Sequence, residues 1–195
     1  MKPMDRRTRK TKEILTHIFI DLLKKHPIEK ITVKELCDLA DINRSTFYIH
    51  YHDIYELLED VENNCLREID HLISTISCHD FPPEQVTKMI LEYIYQRKEL
   101  LSLFILKMNE HAFWQQIDKK LFVLFRQKII RNYQIPKEMP ADELDDTILF
   151  LISGFYAIYR KWLIQNCQED IDILVQRTTR LSQICLGHLL TCQHS

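Results

Sequence analysis

Three helix-start signals crowd into residues 32–58, TVKELCDLADINRSTFYIHYHDIYELL, and few folds accommodate them. Thr32 followed three residues later by Glu35 can form a capping box, hydroxyl to amide in one direction and carboxylate to amide in the other. Asn43 can cap a second helix. Asp53 with Glu56 repeats the pattern and puts negative charge in the first turn of a third, where the macrodipole favours it. Two very short helices therefore precede a long one. Val33, Leu36, Leu39 and Ala40 share a helical face, Ile42 follows in the turn, and Phe47 and Tyr51 can close over them. Helices this short need a partner. Residues 13–25 supply one, because Ile14, Leu15, Ile18, Phe19, Leu22 and Leu23 form an apolar stripe that ends at His26-Pro27. The spacing predicts a three-helix unit whose last two helices form a helix-turn-helix.

Outward from that unit the third helix keeps Arg44, Ser45, Thr46, Tyr48, Ile49 and His50, interleaved with the inward Phe47 and Tyr51. Such a surface suits the major groove of DNA: Arg can bind guanine with two hydrogen bonds, Ser and Thr can reach base or phosphate, and an aliphatic group can meet a thymine methyl. Tyr48 and His50 are better placed for phosphate, which positions a helix without reading sequence. Any one of these polar residues alone would indicate only a solvated helix face. Caps, core and polar face together indicate DNA.

The run from Ile31 to Leu58 resembles the amino-terminal signature of the TetR family of transcriptional regulators. It has the Thr-Val start, the apolar helix with Ala40, the turn, Thr46-Phe47-Tyr48, and an aromatic pair before a capped helix ending in Leu-Leu. The resemblance is specific over about residues 10–60 and architectural beyond. It implies that Thr32, Arg44, Ser45, Thr46, Tyr48, Ile49 and His50 lie at or near DNA. Two positions depart from the pattern. Asp41 stands where the family commonly has Gly in the turn, and Asp tolerates the left-handed conformation better than most residues. Ile54 stands where the family commonly has a Lys that contacts phosphate, so one contact is missing. Residues 1–12 carry Lys2, Arg6, Arg7, Arg9, Lys10 and Lys12 against Asp5, net +5. Residues 1–54 hold eleven Lys and Arg against eight acids, and the remainder fifteen against twenty, so positive charge is concentrated at the DNA end. A flexible basic arm, with Lys10 and Lys12 as candidate contacts, is expected to add counterion-release affinity or enter a minor groove. For residues 1–5 a solvated tail is expected.

With glycine only at 154 and 187, the chain has no phosphate-binding glycine loop, no dinucleotide fingerprint and little provision for hairpins. An all-α fold follows. The charged amino terminus lacks the apolar core of a signal peptide, which makes a cytoplasmic protein the expectation. Thr147 to Tyr159, the longest uncharged apolar-rich stretch, is bounded by Asp146 and Arg160, is too short to span a bilayer and reads as a buried helix. No membrane partner is expected. Six cysteines show no Cys-x-x-Cys spacing and read as small buried residues in a reducing compartment. A di-metal bundle needs two Glu-x-x-His pairs, and only Glu68 to His71 fits. Cys185, His188 and Cys192 share one frayed helix, which rarely closes a metal site. Neither catalytic residues, a metal nor a cofactor is expected, so the chain reads as no enzyme.

Prolines divide the remainder. The expectation is an all-α chain of about nine helices: a helix-turn-helix domain with its basic arm at 1–54, and a helical effector-binding and dimerisation bundle at 55–195. Within the bundle, helices are predicted from 53 to about 77, from Pro82-Pro83 through Tyr95 and on to Lys107, from His111 to Tyr133, from an Asp142 cap to about Asn166, and from Asp170 to about Leu190. In the resembled family the last two long helices make a four-helix dimer interface, which here would draw on Ile152, Phe155, Tyr159, Trp162, Leu174, Leu181 and Cys185. A two-fold dimer would set two recognition helices roughly 34 Å apart over a palindromic double-stranded site. Aromatics gather between linker and dimer helices, and Tyr93, Phe104, Phe113, Trp114, Phe125 and Tyr156 are the candidate pocket for a small effector, with Asn109 and His111 as nearby polar groups. The resemblance thus implies a dimeric DNA-binding regulator, commonly a repressor, shifted by an effector. The alternative is a regulator-like ligand-binding or protein-partner adaptor that no longer binds specific DNA.

Overall fold

The computed structural model describes residues 6–106, 111–187 and 191–192. In chain order come α1 (Arg6–Lys25), a 3-10 turn (Ile28–Lys30), α2 (Val33–Ala40), α3 (Arg44–Tyr48), α4 (Ile54–Cys78), α5 (Pro83–Gln96), α6 (Lys98–Leu106), α7 (His111–Asn132), α8 (Ala141–Ile164) and α9 (Ile171–Gly187). The fold is all-α. Among the described residues the one extended feature is a two-residue antiparallel pairing of β1 (Tyr133–Gln134) with β2 (Thr191–Cys192). The chain divides into two units, Met1–Arg67 and Glu68–Ser195. The division falls inside α4 and not at its first residue, because Leu57, Leu58 and Val61 are buried and Asp60 bonds Tyr51 and Lys12, all within the first unit.

In the first unit Leu15, Phe19, Leu22 and Leu23 of α1 are buried with Leu36 and Cys37 of α2, and Phe47 and Tyr51 close the core. Leu39, expected inside, is 57% exposed. At about 100° per residue the buried face of α2 runs through Val33, Leu36, Cys37 and Ala40, and Leu39 lies off its edge. The Glu35 amide donates to the Thr32 hydroxyl at 3.2 Å, and the Glu56 amide donates to Asp53 at 2.9 Å while the Glu56 carboxylate accepts from the His52 amide. Asn43 occupies the N-cap of α3 with no side-chain cap bond, since its own carbonyl receives the Thr46 and Phe47 amides. Residues 6–12 are the first turns of α1 and not a flexible arm, while Lys2 lies outside the described residues.

In the second unit, Pro82 and Pro83 open α5 where a missing amide proton costs nothing. Leu91 of α5, Trp162 of α8, and Leu174 and Val175 of α9 form one cluster, and Ile129, Leu144, Ile148, Leu151 and Leu186 build a second from α7, α8 and α9. Pro140, not Asp142, is the N-cap of α8, and Asp142 sits two residues further on, within the first turn. A left-handed pair, Asn166 and Cys167, both at φ 54°, ends α8. The Cys167 amide reaches back to Trp162 at 2.9 Å, the Trp162 indole donates to the Glu169 carbonyl at 2.9 Å, and Asp170 accepts the Asp172 amide to start α9. By length and composition α8 is apolar enough to cross a membrane, yet its inner face is core and its outer face leaves Leu149 and Phe150 exposed. It is therefore buried on one face only, not throughout as the sequence suggested.

Candidate nucleic-acid interface and internal cavity

A left-handed residue turns the chain from α2 into α3. Asp41, at φ 53° and ψ 46°, lets both its own amide and the Ile42 amide bond the Cys37 carbonyl. The turn survives without glycine, as Asp permits. It presents α3 with two unlike faces. Phe47 is fully buried, and Tyr51 packs on it with ring centroids 5.6 Å apart. Arg44 and Ser45 are exposed, Thr46 and His50 half-buried, Tyr48 56% exposed and Ile49 76% exposed. Thr32, exposed at the start of α2, joins this polar surface. The helix ends at Tyr48, so Ile49 caps it and His50 lies in the following turn. An apolar side chain as exposed as Ile49 has no folding role, and a thymine methyl is the kind of group it can meet. Beneath this surface, burial pushes the Cys37 thiol up against the pull of Arg44, which keeps it a neutral core group.

Tyr51 does more than fill the core. Its hydroxyl donates to Asp60 of α4 at 2.7 Å, Lys12 of α1 donates to the same carboxylate oxygen at 2.9 Å, and the Lys12 ammonium lies 4.7 Å from the Tyr51 ring centroid. Burial opposes ionisation of Asp60, but hydrogen bonds from Lys12 and Tyr51 outweigh it and hold the carboxyl below its ordinary value. Burial, then the Asp60 bond, raises the Tyr51 phenol far above its ordinary value. Lys12 thus links α1 and the Tyr51 segment after α3 to α4, so the charge expected to meet DNA is paired with Asp60. Ile54 is buried, so the position of the missing Lys belongs to the core. Arg9 pairs with Glu13 at 3.5 Å, and Lys10 stays exposed.

The second unit encloses a cavity of about 120 Å³. Four of the six expected pocket residues, Tyr93, Trp114, Phe125 and Tyr156, line it. Phe104 and Phe113 do not, because they pack edge to face on each other at 4.8 Å and are buried behind Trp114. The sequence reading passed over Asp118 and Arg160, the two charged residues in the wall. Asp118 was legible as one acid inside the stripe Trp114, Ile117, Leu121, Leu124 and Phe125. Burial raises its pKa. Asn109 and the His111 side chain lie outside the described residues.

The expected interface residues need the larger correction. Ile152, Phe155, Trp162 and Leu174 are buried within their own unit, and Tyr159 and Cys185 are half-buried. What α8 and α9 turn outward is Leu149, Phe150, Ile164, Ile173, Leu181 and Ile184. Only Leu181 was expected. The heavier side chains were mistaken for the outer face because a helix apolar on two sides does not say in sequence which side is inside. Among the described residues no group of three His, Cys, Asp or Glu side chains could hold a metal, and His188 lies outside them.

Comparison with known proteins agrees with this geometry. Residues 82–183, just over half of the chain, match the TetR-type transcriptional regulator C-terminal region. The chain is 34% identical over 91 residues to the uncharacterized HTH-type transcriptional regulator YxbF of Bacillus subtilis (strain 168), a match spanning 46% of this chain but only 24% of that protein. It is 25% identical over 177 residues to the probable acrEF/envCD operon repressor of Escherichia coli (strain K12), covering 83% of this chain and 80% of the relative. The crystal structure of a TetR transcriptional regulator from Streptococcus agalactiae 2603V superposes with a TM-score of 0.64 at 25% identity, over 91% of this chain and 96% of that one. With its helix-turn-helix amino terminus and this carboxy-terminal match, the chain belongs to the TetR family of transcriptional regulators.

Proposed function

We propose that this TetR-family regulator is a cytoplasmic homodimer that represses transcription from a palindromic DNA site and is shifted by a small effector held in its second unit. The observation that carries the reading is the divided α3: Phe47 and Tyr51 anchor it inward while Arg44, Ser45, Tyr48 and Ile49 face solvent. Arg44, Ser45 and Ile49 read base edges, Thr46 supports them, and Thr32, Tyr48, His50 and Lys10 hold phosphates. Leu149, Phe150, Ile173, Leu181 and Ile184 supply the dimer interface, and Gly154, whose missing side chain leaves open space, lets the helices approach closely. α4 is one continuous helix that contributes to both units. An effector that prefers one position of its carboxy-terminal half therefore biases the DNA-binding half as a population shift.

The test is binding to a selected duplex across a salt series. Arg44→Ala is expected to cost about 1–3 kcal/mol and relax specificity at one position, while Tyr48→Ala weakens binding evenly across sequences. If no duplex from a random pool binds better than bulk DNA, the adaptor reading replaces this one. The burial of Ile54 and the engagement of Lys12 with Asp60 are the observations that favour that outcome.

A further inference from the structure

The effector cavity has a neighbour. A second cavity of about 80 Å³ lies against it, and the two share Ile90, Leu124, Phe125, Phe155 and Tyr159 in their walls. Three of these form one aromatic stack, Phe125 on Phe155 at 5.7 Å and Phe155 on Tyr159 at 5.9 Å, inclined by only 25° and 5°. Joining the chambers requires these packed rings to change rotamer, with Phe155 buried and Tyr159 hydrogen-bonded to Thr178 in the closed arrangement. The chambers differ in chemistry. The larger is apolar except for Asp118 and Arg160, whose opposite charges leave it neutral. The smaller carries Thr87, Lys128, Asn132, Ser182 and Gln183, with no acid among the described residues that line it. Lys128 spends one proton on the His79 carbonyl at 2.6 Å and keeps two, and Ser182 donates to the Thr178 carbonyl, which leaves its oxygen as an acceptor.

We propose that the two chambers are one site for an elongated amphipathic monoanion, its unbranched apolar tail in the larger and its carboxylate at Lys128, Asn132 and Gln183 in the smaller. The proposal rests on the reading of this unit as effector-binding and assigns the effector's class. An anionic head is favoured at Lys128 over Arg160 because Asp118 shares Arg160's chamber and repels a carboxylate, whereas the described residues that line the Lys128 chamber include no acid. Branched aliphatic and aromatic walls in the larger chamber, among them Ile69, Leu72 and Trp114, suit a hydrocarbon chain and exclude a second polar group.

The experiment titrates the full chain, with Trp162 replaced by Phe so that Trp114 is the one fluorophore of its kind, with decanoate, decanol, decyltrimethylammonium, hexanoate and hexanol, following tryptophan fluorescence and the melting temperature. Decanoate is expected to bind about tenfold more tightly than decanol, as a charge-assisted hydrogen bond requires, and on the order of a hundredfold more tightly than hexanoate, as four added methylenes require, with the ammonium weaker than decanol. Lys128→Met should bring decanoate down to the affinity of decanol and leave decanol unchanged, while its melting temperature without ligand reports that the variant is folded. Loss of carboxylate preference in Arg160→Met instead of Lys128→Met, or equal binding of decanoate and decanol, overturns the proposal. Hexanol binding without any gain for the longer chains overturns the two-chamber site but leaves an effector cavity standing. Failure of every probe overturns both.

Discussion

Asp60 of α4 ties α1 and the segment after α3 to one carboxylate, and its depressed pKa has a sign that can be checked. A carboxyl lowered in the folded state stabilises above its unfolded value of 3.8 and loses that contribution as pH falls through its folded value. The stability advantage of the native protein over Asp60→Asn should therefore be full near neutrality and shrink progressively in denaturant titrations carried downward from about pH 4. Tyr51→Phe removes only the hydroxyl and should cost about 1 kcal/mol, since Lys12 still satisfies Asp60. A larger loss would mean that the ring position itself depends on that bond. At Asp41 the strain is in the backbone. Asp41→Val should cost about 1–2 kcal/mol and Asp41→Gly nothing or less, because only the branched side chain conflicts with the left-handed turn.

Among the elements, α8 separates most clearly what its sequence could and could not disclose. Its existence, length and apolar character were legible in the spacing of Leu144, Ile148, Leu151, Ile152 and Phe155. Which apolar residue faces which partner was not. Phe150 is 68% exposed and Phe155 buried, a difference set by where α7 and α9 lie and not by any property of phenylalanine. Phe150→Asp should thus leave the helical signal and melting cooperativity intact while sedimentation reports a monomer. Trp162→Asp should unfold the second unit, because the indole is buried and donates to Glu169. The first unit was more legible, since caps are local. Thr32, Asp53 and the αL Asp41 are decided by residues three or four positions away, and all three took the expected conformation. The pairing of Lys12 was not legible because its partner, Asp60, lies forty-eight residues on. The cavity was half legible for the same reason: aromatic crowding is visible in sequence, but Phe104 and Phe113 fall behind Trp114 only once α6 meets α7.

For the molecule as a whole, net charge is −2 while the excess of Lys and Arg lies in residues 1–54. Affinity for DNA should accordingly fall linearly in logarithm with salt, and the slope should shrink by about one phosphate when Lys10 is replaced by Ala. Replacing Lys12 should instead lower stability and leave that slope nearly unchanged, because its charge is already spent on Asp60. The most direct measurement is selection of duplexes from a random pool by the full chain, followed by sequencing of those retained. A family regulator with the divided α3 and the outward α8–α9 face described above should enrich an inverted repeat whose half-sites lie about one helical turn apart, with enrichment lost in Arg44→Ala. Enrichment of a single unpaired half-site would contradict the dimer, and no enrichment at all would contradict sequence-specific DNA binding by this chain.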